Sequence, residues 1–311
     1  MTVTPDHTSR SSMATVPSVA LTADGSPVAG ITLVLPVYNE ATGLPGLLDS
    51  LSSALQSVGV PFEIVAVDDG STDGSRELLR GRTDLRLLEH AENRGYGAAL
   101  KTGIRYARYP VIAITDADGT YPHEHLAALI ARMSRADMVV GARVGAEVEY
   151  PLVRSIPKWF LVRFAEWMAR RQIPDLNSGL RVFRRDIAER FLKILPDGFS
   201  FTTTITLAML TNGYLVEYEP INYRARTGHS KIRPIRDTLG MLKTIFCTGM
   251  YFAPLRVFLP IAGLFGIAFA VTFAQDLYYR DLTERTLILF VAATQLGMFG
   301  LLAQMIDKRS P

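Results

Sequence analysis

The sequence predicts an α/β domain built on an open, mostly parallel sheet and carried on a C-terminal pair of membrane-spanning helices. Three observations predict it. Short apolar runs alternate with helical patterns between Ile31 and Arg143. Acidic residues gather where two of those runs stop, at Asp68, Asp69, Asp116 and Asp118. Two uncharged stretches, residues 257–275 and 287–306, stand close together near the C-terminus. Strands alternating with helices indicate a parallel sheet, and such sheets bind ligands beyond the carboxyl ends of their strands.

The elements follow in order. ITLVLPV (31–37) reads as a buried strand and residues 44–58 as a helix. FEIVAVDDG (62–70) is a second strand ending in acids, with a helix near 72–80. LRLLEH (85–90) is the third strand, and a glycine-rich start opens a helix over 95–106. PVIAITDAD (110–118) is the fourth strand, a helix follows Pro122, and ADMVVGAR (136–143) is the fifth strand. Residues 1–29 are rich in Ser, Thr, Pro and Gly and lack an apolar core, so they read as a mobile tail and not as a signal peptide. The catalytic domain is expected over 30–233 and a juxtamembrane segment over 234–256.

The two C-terminal stretches differ in kind. They run 19 and 20 residues without a charge. At a helical rise of about 1.5 Å per residue, each spans roughly the 30 Å of a bilayer's hydrocarbon core. Buried core helices are the alternative; length and adjacency favour a membrane hairpin. Arg256, Lys308 and Arg309 flank its outer ends, with Arg233, Arg236 and Lys243 upstream, while the connecting loop carries Arg280 and Arg285. The positive-inside rule then puts both termini and the α/β domain in the cytoplasm. Residues 151–172 interleave Trp159, Phe160, Phe164, Trp167 and Met168 with Arg154, Lys158, Arg163, Arg170 and Arg171. This basic amphipathic helix either lies on an anionic bilayer or packs on the sheet with a solvated face.

Composition sets outer bounds. A chain of 311 residues holds one sizeable domain and an appendage. A net charge of +3 gives no ground for a nucleic-acid partner. The single cysteine, Cys247, cannot form an internal disulfide, which fits a reducing compartment. Mean hydropathy of +0.17 is high for a soluble enzyme, and the excess is concentrated near the C-terminus.

The chemistry starts from Asp116-Ala117-Asp118. On an extended strand end, residues two apart point to the same side. Carboxylates converging there repel unless a hard cation such as Mg²⁺ or Mn²⁺ intervenes, and such a cation can bridge a diphosphate. An EF-hand loop is excluded, because its twelfth position is Ala127 and Gly119 is misplaced. Two solvated aspartates in a turn are the ordinary alternative.

In VDDGSTD (67–73), Asp68 and Asp69 can accept hydrogen bonds from a nucleobase or ribose. A capped strand-to-helix loop explains Ser71 and Thr72 without needing both acids. ENRGYGAALKTG (92–103) opens a helix whose N-terminus can face a phosphate, and Lys101 within it is counted with the nucleotide-sugar site. It is neither a dinucleotide fingerprint nor a P-loop. GLRVFRR (179–185) and RARTGHSKI (224–232) supply cations; from Arg224 to Lys243, six Lys or Arg stand against Asp237. These basic residues are either a solvated flank or a site for anionic phosphate at the membrane surface. His123 and His125 point apart on a helix and make a poor zinc pair.

LPVYNE, VDDGSTD, DADGTYP, NSGLRVFRRD, FSFTTTITLAM and GHSKI, in that order, resemble glycosyltransferase family 2. Within it they are similar to the dolichyl-phosphate mannose synthase-like branch, the polyprenyl-phosphate glycosyltransferases. The resemblance covers about residues 31–255, and the hairpin fits membrane-anchored members. It implies a GT-A fold with a nucleoside-diphosphate sugar at the strand ends. Pro36, Tyr38 and Glu40 match the first nucleotide-binding stretch, and Asp68 the base- or ribose-contacting acid. Asp116, Ala117 and Asp118 match the metal-binding Asp-x-Asp. Thr120 stands where several mannose synthases carry a Gln ligand, which puts a third protein ligand in doubt. Arg143, Ser178, Arg181, Arg226 and Lys231 fall where the branch holds the acceptor phosphate.

The implied reaction moves one sugar to a dolichyl or undecaprenyl phosphate, with inversion, assisted by Mg²⁺ or Mn²⁺. Arg143 is expected to act in catalysis, and Asp175 to serve as base should the acceptor be a hydroxyl. The Gln-x-x-Arg-Trp motif of processive synthases is absent, which favours one transfer per event. The alternatives are transfer to a lipid or glycan hydroxyl and a non-catalytic, nucleotide-binding membrane subunit. A homo-oligomer is left open.

Overall fold

The computed structural model describes residues 29–143, 162–222 and 246–307. Its centre is a seven-stranded sheet: β1 (Ile31–Val37), β2 (Phe62–Asp68), β3 (Arg86–Glu89), β4 (Val111–Ile114), β5 (Met138–Arg143), β6 (Arg181–Arg184) and β7 (Val216–Ile221). The spatial order is β3-β2-β1-β4-β6-β5-β7. All pairings are parallel except those of β6, which runs antiparallel between β4 and β5. The strand reading omits β6 and β7. GLRVFRR reads as a cation source because Arg181 and Arg184 mask a short strand.

Helices cover both faces. One face carries α1 (Leu44–Gln56), α2 (Ser75–Arg80) and α4 (Leu126–Arg132). The other carries α3 (Tyr96–Tyr106), α6 (Arg185–Phe191) and α7 (Phe201–Thr211). The side-chain period of a strand explains the division: Ile31, Leu33, Leu35 and Val37 of β1 enter the first core, and Val34 enters the second. In α1, Leu44, Leu47, Leu48, Leu51 and Leu55 recur at helical spacing and are all buried. Truncating one such leucine to alanine costs about 2–5 kcal/mol.

The chain reverses its winding direction at β1. From there β2 and β3 extend one way and β4 the other, which makes the crevice between β1 and β4 the topological switch point. Pro36 opens that crevice. The Val37 carbonyl accepts from Asp69 on the β2 side, so position 36 faces the β4 side. There β4 has already ended, with Ile114 opposite Val34. The N–H that proline lacks therefore removes no ladder bond.

A helix over 162–169 (α5) and another over 246–252 (α8) adjoin the hairpin. The hairpin consists of α9 (Pro254–Tyr279) and α10 (Glu284–Asp307). Only 6% and 11% of their most apolar windows is buried, which argues against core helices and fits a lipid-facing pair. The hairpin turn is closed by Asp276, whose Oδ2 accepts from the Thr283 amide at 2.9 Å and its hydroxyl at 2.8 Å. At the other end Val257, in the first turns of α9, packs with Ala253 on Met168 of α5, and the Arg256 guanidinium donates to the Met168 carbonyl. The α/β domain thus meets the hairpin where the first span begins.

Candidate active site

The expected acid pair lies at the carboxyl end of β4, beside the switch point. The strand is shorter than expected: it stops at Ile114, and Asp118 lies in the turn that follows. The two aspartates are therefore oriented by specific contacts and not by strand pleating. Tyr96, opening α3, donates its hydroxyl to Asp116 Oδ1 at 2.8 Å. Thr120 donates its hydroxyl to Asp118 Oδ1 at 2.6 Å and its amide at 3.2 Å. Gly179 packs its backbone on Asp116; a Cβ there would sit 2.5 Å from both carboxylate oxygens. The Gly179 amide in turn donates to the Tyr121 hydroxyl at 2.6 Å.

Burial pushes the Asp116 carboxyl up to about 6; the nearby Asp118 charge adds to the rise, and the Tyr96 hydroxyl and the Arg143 and Arg181 charges oppose it. A partly buried acid that resists ionisation, with a second acid two residues away, suits a hard divalent cation that would compensate both charges. The donor set is two carboxylates, with no group of three or more His, Cys, Asp or Glu among the described residues. Mg²⁺ or Mn²⁺ fits this set, with its other positions left for substrate oxygens and water. Thr120 spends its hydroxyl hydrogen on Asp118 and so orients that carboxylate.

The carboxylates of the VDDGSTD turn are held by partners within the protein. Asp68 is fully buried, 2.7 Å from Arg76 Nε, and also accepts from the Ser71 amide. Asp69 accepts from the Arg94 and Gly95 amides at 3.0 and 2.8 Å and pairs with His90 at 2.6 Å. Both carboxylates point into the protein, and Asp69 holds the loop before α3. Gly70 permits that approach: its φ is +75°, and a Cβ would meet the Asn93 amide at 2.6 Å. The rest of the motif clamps the loop after β1. Ser71, Ser75 and Asp73 accept from the Asn39, Glu40 and Ala41 amides, and Asn39 accepts from the Thr72 amide. Burial would raise the Asp73 carboxyl, but bonds from Ser75 and the Ala41 amide hold it below its usual range.

Contacts and burial place the other expected site residues. At the N-terminus of α3 the Ala98 amide donates to the Asp197 carbonyl at 3.0 Å. Lys101 Nζ lies 2.7 Å from Asp197 Oδ1. Ser178 and Arg181 are both 0% exposed. The Arg181 guanidinium bonds the Ser178 and Thr202 carbonyls and the Thr206 hydroxyl, tying β6 to α7. Pro36 is buried in β1, whereas Tyr38 is exposed and Glu40 partly so at the crevice. Ala117 is buried between the two acids.

Arg143 grips Asp175 at two points, Nε to Oδ2 at 2.7 Å and Nη2 to Oδ1 at 2.9 Å. The Arg143 and Asn177 amides also donate to that carboxylate. Burial would raise the Asp175 carboxyl, but the Arg143 guanidinium and those amides hold it below the usual carboxylate range. Both Asp175 oxygens are thus engaged and its proton affinity is low. Arg226 and Lys231 lie outside the described residues.

Motif reading misses Tyr96, Tyr121 and Gly179. A signal exists for each: Tyr96 stands between two glycines, Tyr121 ends DADGTYP, and Gly179 sits inside NSGLR.

A family model described as "Glycosyl transferase family 2" matches residues 32–192. The chain belongs to this family. A second model, "GtrB C-terminal hairpin", matches residues 253–308, the segment that forms α9 and α10. Curated relatives from Salmonella paratyphi B and Salmonella newport are named undecaprenyl-phosphate 4-deoxy-4-formamido-L-arabinose transferase. Each is 30% identical over 175 residues, 55% of this chain and 53% of the relative. The chain thus spans about half the length of the curated relatives it matches.

Two solved structures share the fold. Glucosyl-3-phosphoglycerate synthase from Mycobacterium tuberculosis, crystallised with Mn²⁺, UDP and glucosyl-3-phosphoglycerate, is 19% identical with a TM-score of 0.53. It covers 71% of this chain and 79% of that one. Mannosyl-3-phosphoglycerate synthase from Rubrobacter xylanophilus is 18% identical with a TM-score of 0.54, over 71% and 72% of the two chains. The family and the GT-A fold that the motifs imply are those the chain has.

Proposed function

We propose that this family 2 protein is a membrane-anchored transferase that moves one sugar from a nucleoside-diphosphate sugar to a polyprenyl phosphate, with inversion. The observation that carries the reading is the acid pair Asp116 and Asp118 at the switch point of a domain joined directly to a membrane hairpin. A polyprenyl phosphate keeps its tail in the bilayer, so its head meets a donor only at the membrane surface. The names of the Salmonella relatives support the same acceptor class.

The residues divide the work. Asp116 and Asp118 would hold Mg²⁺ or Mn²⁺. When bound, the cation supplies charge stabilisation for the departing diphosphate. Tyr38 and Glu40, on the loop clamped by Ser71, Asp73 and Ser75, border the donor crevice. Arg143, held by Asp175, presents positive charge beside Asp116 and lowers the repulsion between two anionic substrates. Arg226 and Lys231, in the basic stretch before the hairpin, hold the acceptor phosphate, and the α/β domain faces the cytoplasm.

The state of Asp175 favours this acceptor over a hydroxyl. A phosphate is already anionic and needs no general base, whereas a hydroxyl does. Asp175 is committed to Arg143 and held at low proton affinity. The test incubates membranes containing the protein with a panel of labelled nucleotide sugars and polyprenyl phosphates. A glycosyl phosphoprenyl lipid is the expected product. Transfer only to lipid or glycan hydroxyls, or donor binding without any turnover, would refute the reading.

A further inference from the structure

Asp116 is oriented by a side chain from a different part of the fold. The Tyr96 hydroxyl donates to its Oδ1 at 2.8 Å, while the Gly179 backbone backs both oxygens. Tyr96 is itself well anchored. The preceding Gly95 amide donates to Asp69 Oδ2 at 2.8 Å, and two residues on, the Ala98 amide donates to the Asp197 carbonyl at 3.0 Å. Its ring stacks on Phe199, with centroids 5.6 Å apart and planes 18° from parallel. Phe199 is 70% exposed, so the stack is not a by-product of core burial. Asp118 has a local counterpart, since its Oδ1 accepts from the Thr120 hydroxyl at 2.6 Å.

We infer that Tyr96 is a positioning residue for the cation site: its hydroxyl fixes the rotation of the Asp116 carboxylate, and Asp69 and Phe199 fix Tyr96. Tyr96 acts through Asp116 and does not ligate the ion. A carboxylate with one oxygen tied presents the other in one direction, so little rotational freedom is lost when a cation binds. Without the tie, that ordering must accompany every binding event. Outer partners of this kind typically change metal affinity about 10–100-fold. The inference rests on the reading of Asp116 and Asp118 as the cation ligands.

The experiment titrates Mn²⁺ alone into the full-length, detergent-solubilised protein and follows the free ion by electron paramagnetic resonance. Tyr96→Phe keeps the stacked ring and removes only the hydroxyl. Its Mn²⁺ affinity should fall about tenfold or more, while its unfolding temperature in EDTA stays close to that of the parent. In turnover assays its Mn²⁺ requirement should rise by the same factor, with kcat recovered at saturating Mn²⁺. Phe199→Leu, which keeps the hydroxyl but loosens its support, should shift Mn²⁺ affinity in the same direction by less, and serves if Tyr96→Phe fails to fold.

Mn²⁺ binding by either variant equal to that of the parent overturns the inference and leaves the cation site intact. A lower kcat at saturating Mn²⁺ with unchanged affinity also overturns it, by moving Tyr96 to the substrate. A parent protein that binds no Mn²⁺ and transfers sugar in EDTA overturns the underlying reading instead.

Discussion

Arg143 and Asp175, at the end of β5 and in the loop before β6, form a two-point ion pair with N–O distances of 2.7 and 2.9 Å. The Asp175 side chain is 9% exposed and that of Arg143 22%, so the pair is largely shielded from water. It joins two segments that converge beside Asp116, and it sets the charge on that side of the crevice.

Asp175→Asn should therefore lower stability at neutral pH. Breaking one side of a buried pair costs about 3–5 kcal/mol, and the residual exposure of Arg143 reduces that figure. The folded carboxyl is held below its ordinary value of 3.8, so its contribution is present above pH 3.8 and is lost as pH falls through the lower folded value. Thermal unfolding of parent and variant should differ at pH 7 and converge in strong acid. A constant gap across that range would show that Asp175 does not carry this pH dependence.

Asp116→Asn should have the opposite effect on stability. The folded carboxyl is raised from 3.8 to about 6, so the folded state binds the extra proton and stability falls as pH rises through that window. Without metal, the asparagine variant escapes a penalty of up to about 3 kcal/mol at pH 7. Its unfolding temperature in EDTA should exceed that of the parent at pH 7, with the advantage gone below pH 4. Sugar transfer should nevertheless be abolished in this variant and in Asp118→Asn. Full activity of either in EDTA would remove the cation role.

Gly179→Ala tests the close approach of Asp116. The new Cβ would fall 2.5 Å from both carboxylate oxygens, so either the acid or the loop must move. Overpacking of this sort costs about 1–3 kcal/mol. Cation affinity and transfer rate should fall together, with Mn²⁺ titration as the check.

Arg226→Ala should impair use of the lipid acceptor and spare the nucleotide. A hydrogen bond to a charged group contributes about 1.5–3 kcal/mol, which corresponds to roughly a ten- to hundredfold loss of efficiency or somewhat more. Kinetics at varied lipid concentration, beside calorimetry with the nucleoside diphosphate, separates the two. Collapse of nucleotide affinity with normal lipid dependence would assign Arg226 to the donor side.

Membrane orientation is open to direct chemical test. Asp281 lies between α9 and α10 and is exposed. With Cys247 replaced by serine, Asp281→Cys should react with an impermeant thiol reagent in intact cells. Labelling only after lysis would turn the hairpin over and put its loop in the cytoplasm.

What the residues determined by themselves are the properties that local pattern carries. Apolar runs and period place β1 to β5, and the uncharged stretches 257–275 and 287–306 mark the hairpin. The pairing of Asp116 with Asp118 is visible because the two are neighbours in the chain. Tertiary structure decided which ions face each other. Asp68 and Asp69 turn inward to Arg76, His90 and Gly95; Lys101 meets Asp197, 96 residues away; Arg181 is buried against Thr202 and Thr206. It also slipped β6 antiparallel between β4 and β5, and set Tyr96 against Asp116 across 20 residues. The physical reason is range. Periodicity and hydropathy report how a segment meets water, whereas the partner of a charged group is fixed by which other segments folding brings within about 3 Å of it.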